Sequence, residues 1–350
     1  MVTRRLAALI AALALVLGAG VFAGCGEDEE EPAGGGSAAQ QEEKPAIKVG
    51  LVTDIGGLDD RSFNQLANEG LERAKAELGV EARVLTSDQN SDYVPNLSSL
   101  AQQQFDLVIG NGFLMGDAVN TVATRFPETN FAIIDYPHAL LKDKPSNARG
   151  LLFRENEAGY LVGYAAGLFV KDKGGDQVVS SVGGQKVPAV DAYIAGYQAG
   201  AEAANPDVET LTGYSQDFVD QAKCKELALN QISEGSQVVF QVAGGCGLGA
   251  LDAAKERSVA GIGVDADQGY LGDHIITSAV KKVDVAVFET IKAVQDGTFK
   301  GGTDTVFDLK SEAVGVGEFN AEAEKYAPQI QEIQQQIISG EISDIPSTLD

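Results

Sequence analysis

The chain has 350 residues, 51 acidic against 26 basic, and a formal net charge of -25 at pH 7. That sign excludes a nucleic-acid or anionic-lipid binding face, which needs clustered lysine and arginine, and favours solubility instead. The roughly 300 residues beyond position 45 exceed what one hydrophobic core usually serves, so two lobes are expected.

Arg4 and Arg5 precede an uncharged apolar run over 6–22 that ends in Ala23 and Gly24, the layout of a secretory signal peptide spanning 1–24. Phe22-Ala23-Gly24-Cys25 resembles a bacterial lipobox, although Phe22 stands where Leu is usual. Lipidation of Cys25, a palmitate-type acylation, would make it the first mature residue, and two or more acyl chains hold a soluble domain on a membrane. An ordinary signal peptide with an incidental cysteine is the alternative. The segment 25–45, with Glu27, Asp28, Glu29, Glu30 and Glu31 followed by a glycine run, has little to bury and reads as a disordered tether. The expected location is the extracytoplasmic face of the cell membrane, lipid-anchored.

From residue 47 the chain alternates apolar runs with helical stretches. Runs at 47–52, 82–85, 107–110 and 131–134 surround helical patterns at 62–78 and 116–125. A second set follows 148–153, with helices at 156–171, 189–204, 221–234 and 249–257 and strands at 178–182, 209–214, 238–242 and 261–264. Continuous apolar strands separated by helices predict parallel sheets covered on both faces. The fold class is therefore α/β, two doubly wound lobes. The strand at 275–280 and helix at 284–295 are expected to return to the first lobe, with 305–319 crossing back and a last helix at 321–339. The predicted lobes are 46–153 with 275–302, and 154–274 with 303–345.

Besides Cys25 the chain has Cys224 and Cys246, and an even pair in an exported protein suggests a disulfide, with two free buried thiols as the alternative. His138 and His274 are isolated and belong to no metal spacing, so they read as loop residues and neither metal nor cofactor is expected. Parallel sheets bind ligands at the carboxyl ends of their strands, which makes the residues after each strand the candidates. After the first strand come Asp54, Asp59, Asp60, Ser62, Phe63 and Asn64; Ser62 reads as a helix cap and Asp54 as a ligand contact. Carboxylates repel phosphate but accept hydrogen bonds from hydroxyls and amines, so sugars and bases fit this loop better. The third strand ends in Asn111 and Phe113 between glycines, and the fourth in Asp135. Second-lobe tips carry Phe218, Gly244 in a glycine run, and Asp265.

Several of these tips, in order, look like one family. Val52-Thr53-Asp54 with Asp60-Arg61-Ser62-Phe63-Asn64, Gly110-Asn111-Gly112-Phe113, Phe131-Ala132-Ile133-Ile134-Asp135, Ala243-Gly244-Gly245 and Gly263-Val264-Asp265-Ala266-Asp267-Gln268 resemble the basic membrane protein family. That family includes purine nucleoside receptor lipoproteins, the substrate-binding subunits of ABC importers, with the type I periplasmic-binding fold. The resemblance implies a purine stacked between Phe63 and Phe218, with Asp135 receiving base donors. It also implies that Asp54, Asp265 and Lys281 hold the ribose, Lys281 and Lys282 being adjacent alternatives. Cys246 replaces the Thr or Ser common in the glycine turn. The implied partners are a purine nucleoside, an ABC permease and the membrane through the anchor, for a monomer that is not an enzyme. Two other functions fit the residues: a receptor for a sugar or other small polar ligand, and a secreted nucleoside hydrolase using Asp54, Asp59 and Asp60.

Overall fold

A computed structural model of the protein describes residues 46–349; the leader, Cys25 and the acidic tether lie outside them. The first lobe runs β1 (Lys48–Val52), α1 (Phe63–Leu78), β2 (Glu81–Leu85), α2 (Tyr93–Gln102), β3 (Leu107–Asn111), α3 (Gly116–Arg125), β4 (Asn130–Ile134) and β5 (Ala148–Phe153). Next come α4 (Glu155–Lys173), β6 (Val178–Gly183), α5 (Pro188–Ala204), β7 (Glu209–Tyr214), α6 (Gln221–Ser233), β8 (Ser236–Val242), α7 (Gly244–Arg257), β9 (Ala260–Asp265) and β10 (Ile275–Lys281). The chain ends with α8 (Val283–Gln295), β11 (Thr303–Phe307), β12 (Val314–Val316) and α9 (Ala327–Ser339).

These strands form two sheets of the same order, β11-β5-β4-β3-β1-β2 and β12-β10-β9-β8-β6-β7. All pairs are parallel except β10 with β12. Strands such as β3 and β6 are buried at every position, as strands covered by helices on both faces must be. The loops that end β1 and β3 face those that end β6 and β8 across the gap between the lobes, which is what creates a cleft.

Two assignments differ from the sequence expectation. β10 joins the second sheet beside β9, and β11 joins the first beside β5, so these two strands are exchanged relative to the predicted lobes. The helix α8 does return to the first lobe, packing on α1, where a Cβ at Gly70 would lie 2.4 Å from the Asp284 carbonyl. Which sheet receives an apolar strand depends on long-range pairing that local pattern does not encode. The chain thus passes between lobes after Phe153, after Lys281 and between Phe307 and Val314. Neighbouring crossings are tied together by Arg154 N–H donating to the Phe307 carbonyl and Lys282 N–H to that of Ala313, both at 2.8 Å.

The other difference is at the glycine run, expected as a turn before a helix at 249. α7 begins at Gly244, because small residues let its first turns lie directly on neighbouring groups. A Cβ at Gly247 would stand 1.7 Å from Gln241 Oε1, and one at Gly249 1.9 Å from the Gln221 carbonyl.

Candidate functional site

Between the strand tips of the two lobes lies a cleft enclosing about 730 Å³ of space when its open mouth is included. On the first-lobe wall, Asp54 leaves β1 with its Oδ1 accepting from the Tyr93 hydroxyl and, at 2.7 Å, from Ile55 N–H. Gly112 makes room for it: at φ 130° it suits glycine, and a Cβ there would come 2.5 Å from Asp54 Oδ2. Burial pushes the Asp54 carboxyl up to about 6 against the Tyr93 hydrogen bond. Asn64 accepts from Asp54 N–H at 3.2 Å and from Asn111 Nδ2 at 2.8 Å. Asn111 therefore buttresses Asn64 from behind and, fully buried, does not line the cleft as expected.

The start of α1 also departs from expectation. Ser62 makes no side-chain cap; Asp60 does, accepting from Ser62 N–H at 3.1 Å, Asn64 N–H at 2.7 Å and Gln65 N–H at 3.1 Å. Burial raises the Asp60 carboxyl above its usual range in spite of these bonds. Freed from capping, Ser62 Oγ crosses the cleft and donates to Asp265 Oδ2 at 2.6 Å. Beside it, Gln268 Nε2 donates to the Arg61 carbonyl at 3.1 Å. The lobes are in direct polar contact at this edge, a closed arrangement.

Asp135 and Asp265 occupy matching tips, after β4 and at the end of β9, and both adopt left-handed backbone at φ 65° and 60°. Such conformations in non-glycine residues cost about 1–3 kcal/mol and cluster at functional sites. Both Asp135 oxygens accept from Lys281 Nζ at 2.7 Å, and Glu155 Oε1 accepts from the same Nζ at 2.9 Å. Lys281 is 2% exposed, whereas Lys282 is exposed, so of the two adjacent lysines Lys281 faces the cleft. Its burial opposes the charge, but Asp135 and Glu155 outweigh it and hold the ammonium above its usual range. Burial pushes the Glu155 carboxyl up, with Lys281 pulling the other way. Lys281 Nζ also stands 5.2 Å from the Phe63 ring centre and 4.7 Å from that of Phe153, at the crossing between lobes.

The second-lobe wall presents Phe218, Gly244 and Asp265 together with Val187, Val190 and Tyr193. Phe218 packs the Cδ1–Cε1 edge of its ring on Gly184, where a Cβ would be 2.3 Å from both atoms, and its carbonyl accepts from Cys246 N–H at 2.9 Å. Cys246 is joined to Cys224 with Cα atoms 5.6 Å apart, tying α7 to α6 just behind that loop. Asp265 is pushed up to about 6 by burial, against Lys281 and the Ser62 hydroxyl. Its Oδ1 accepts from Tyr193 at 3.3 Å.

Of the residues singled out from sequence, Asp54, Phe63, Asn64, Phe113, Asp135, Phe218, Gly244, Asp265 and Lys281 line one cleft. Tyr193 escaped sequence reasoning because it sits within α5, not at a strand tip. It reaches the cleft because Gly159 lets α4 touch its backbone, a Cβ there falling 2.2 Å from the Tyr193 carbonyl. The aspartates considered for hydrolysis do not converge: Asp60 is taken up by backbone donors, and Asp59 is exposed and lines a separate groove with His274. Among the described residues no group of three or more His, Cys, Asp or Glu is placed to hold a metal ion, and no helix is long and apolar enough to cross a membrane.

Residues 47–348 match the family model described as "Bmp: ABC transporter substrate-binding protein PnrA-like". The chain belongs to this family of substrate-binding proteins. Among similar proteins, the "CD4+ T-cell-stimulating antigen" of Listeria monocytogenes is 35% identical over 95% of this chain and 96% of its own length. The "ABC transporter nucleoside-binding protein BmpA" of Lactococcus lactis is 34% identical over 87% of this chain and 90% of its own. Among solved structures, an ABC transporter solute-binding protein from Aeropyrum pernix superposes with a TM-score of 0.75 at 29% identity, covering 86% of this chain and 94% of that one. The chain accordingly has the two-lobed architecture of the periplasmic-binding type, with its cleft at the strand tips of both lobes.

Proposed function

We infer that this substrate-binding protein takes a purine nucleoside into the cleft and delivers it to an ABC importer. The observation that carries the reading is that each lobe supplies an aromatic, Phe63 and Phe218, to a cleft that also presents the carboxylates of Asp54, Asp135 and Asp265. A planar base stacks on aromatic faces for about 1–3 kcal/mol each, and carboxylates accept from ring N–H, amino and ribose hydroxyl donors. Asp135 is the acceptor assigned to the base; Asp54, Asp265 and Lys281 are assigned to the ribose. The relative named as nucleoside-binding supports the same ligand class.

Ligand bound to one lobe would be enclosed when contacts from the other select the closed state by their differential affinity. Acylation of Cys25, with the acidic tether behind it, would hold the protein at the extracytoplasmic membrane face near its permease.

Calorimetric screening of the purified protein against inosine, guanosine, adenosine, ribose and glucose tests this reading, with chromatography of the mixtures as a check for released base. Nanomolar to micromolar nucleoside binding without turnover is expected. Binding of a sugar with no nucleoside bound would overturn it, and release of free base would transfer the assignment to a hydrolase.

A further inference from the structure

Proteins bind phosphate with two main devices, the free N–H groups of a helix N-terminus and cationic side chains. Both occur in this cleft: the α1 N-terminus and Lys281 are bonded to the protein's own carboxylates, and the first turn of α7, which carries no side-chain cap, also lies on the lining. The N-terminus of α1 opens into the cleft, with Asp60, Phe63 and Asn64 on its lining. The N–H groups of Ser62 and Gln65 are bonded to Asp60 Oδ1, both at 3.1 Å, and that of Asn64 to Oδ2 at 2.7 Å. Asp60 also lies against the first turn of α7, since a Cβ at Gly245 would be 3.8 Å from Asp60 Cβ.

The cation is equally committed. Lys281 is the lysine or arginine on the cleft lining, and an ammonium has three donors. Its Nζ contacts both oxygens of Asp135 and one of Glu155. A phosphate entering the cleft would meet Asp54, Asp60 and Asp265, with Lys281 and the start of α1 already engaged and the Asp60 charge set beside the first turn of α7.

We propose that Asp60 is a specificity-determining residue that fills the cleft's anion-binding corner and restricts the site to unphosphorylated nucleosides. The inference deepens the nucleoside reading and rests on it for the ligand's remaining groups. Asp60 acts by geometry and charge together: its two oxygens take up the Ser62, Asn64 and Gln65 N–H groups, and its charge repels a second anion placed beside them.

The test is calorimetric titration of inosine and inosine monophosphate into the purified full-length protein and its Asp60→Asn variant. Asparagine keeps one acceptor for the helix, turns an amide nitrogen towards the remaining N–H groups and removes the charge. The unaltered protein should bind the monophosphate at least about 100-fold more weakly than inosine, and Asp60→Asn should narrow that gap at least about tenfold. Binding of the monophosphate by the unaltered protein within about tenfold of inosine, or an unchanged gap in the variant, would overturn the proposal.

A second readout does not depend on the nucleoside. Low-millimolar inorganic phosphate, compared with chloride at equal ionic strength, should raise the melting temperature of Asp60→Asn more than that of the unaltered protein. Equal shifts would overturn the role of Asp60 even if neither inosine nor its monophosphate bound, a result that would separately sink the nucleoside reading. If Asp60→Asn does not fold, Asp60→Ser, also a neutral capping residue, is put through the same comparisons.

Discussion

Ser62 Oγ donates to Asp265 Oδ2 at 2.6 Å across the cleft, one residue before Phe63. Closure and the placement of the Phe63 ring are therefore linked through one short segment of the first lobe. Because this bond exists only while the lobes are together, its loss should act on ligand escape. Ser62→Ala should raise the inosine dissociation rate about tenfold, about 1.4 kcal/mol, with little change in association rate. Surface plasmon resonance separates the two rates; Ser62→Thr should restore slow release. A variant that slowed association and left dissociation unchanged would count against the link.

Lys281 is buried with two carboxylates, so removing it leaves Asp135 and Glu155 as unpaired buried charges. Lys281→Met should destabilise the protein by about 3–5 kcal/mol, more than loss of a surface ion pair would. Glu155→Gln added to Lys281→Met should recover part of that loss. Denaturant unfolding of the single and double variants measures both effects, and a fully stable Lys281→Met protein would refute the account of this crossing.

The Asp54 carboxyl, pushed up from 3.8 to about 6 chiefly by burial, sets a sign for pH dependence. Between these values the folded state holds a proton that the unfolded chain has released, so Asp54's contribution to stability falls as pH rises. Asparagine cannot titrate. The stability of Asp54→Asn relative to the unaltered protein should thus increase from about pH 4 to 7, by up to about 3 kcal/mol. Unfolding curves across that range check it, and a pH-independent difference would contradict it. Tyr93→Phe, which removes the hydrogen bond opposing the rise, should move the Asp54 midpoint higher in a carboxyl NMR titration.

The Cys224–Cys246 bridge spans 22 residues of sequence and fastens α6 to α7 behind the Phe218 loop. Loss of a loop closure of this length costs about 3 kcal/mol in the chain-entropy account. Replacing both cysteines by alanine should lower the melting temperature and make it insensitive to reductant. An unchanged melting temperature would show that the bridge adds no stability.

Much of the cleft was legible because parallel sheets place ligand residues at strand ends, and the apolar runs of β1, β3, β4 and β9 mark those ends. Asp54, Asp135 and Asp265 could be named on that ground alone. Asn111 shares the placement yet fails, because whether a tip side chain faces the cleft or braces Asn64 depends on one backbone rotation. Asp60 takes the capping role read for Ser62 for a similar reason: either can cap α1, and Ser62 is drawn off instead as a hydroxyl donor to Asp265. Tyr193 and the exchange of β10 with β11 depend on contacts between distant segments. Their local sequence is that of any buried helix or strand.

The most direct test of the central claim is the structure of the protein crystallised with inosine. The account predicts the base between the Phe63 and Phe218 rings, its donors on Asp135, and the ribose hydroxyls near Asp54, Asp265 and Lys281. Inosine bound outside that cleft, or within it with the ribose between the two rings, would contradict it.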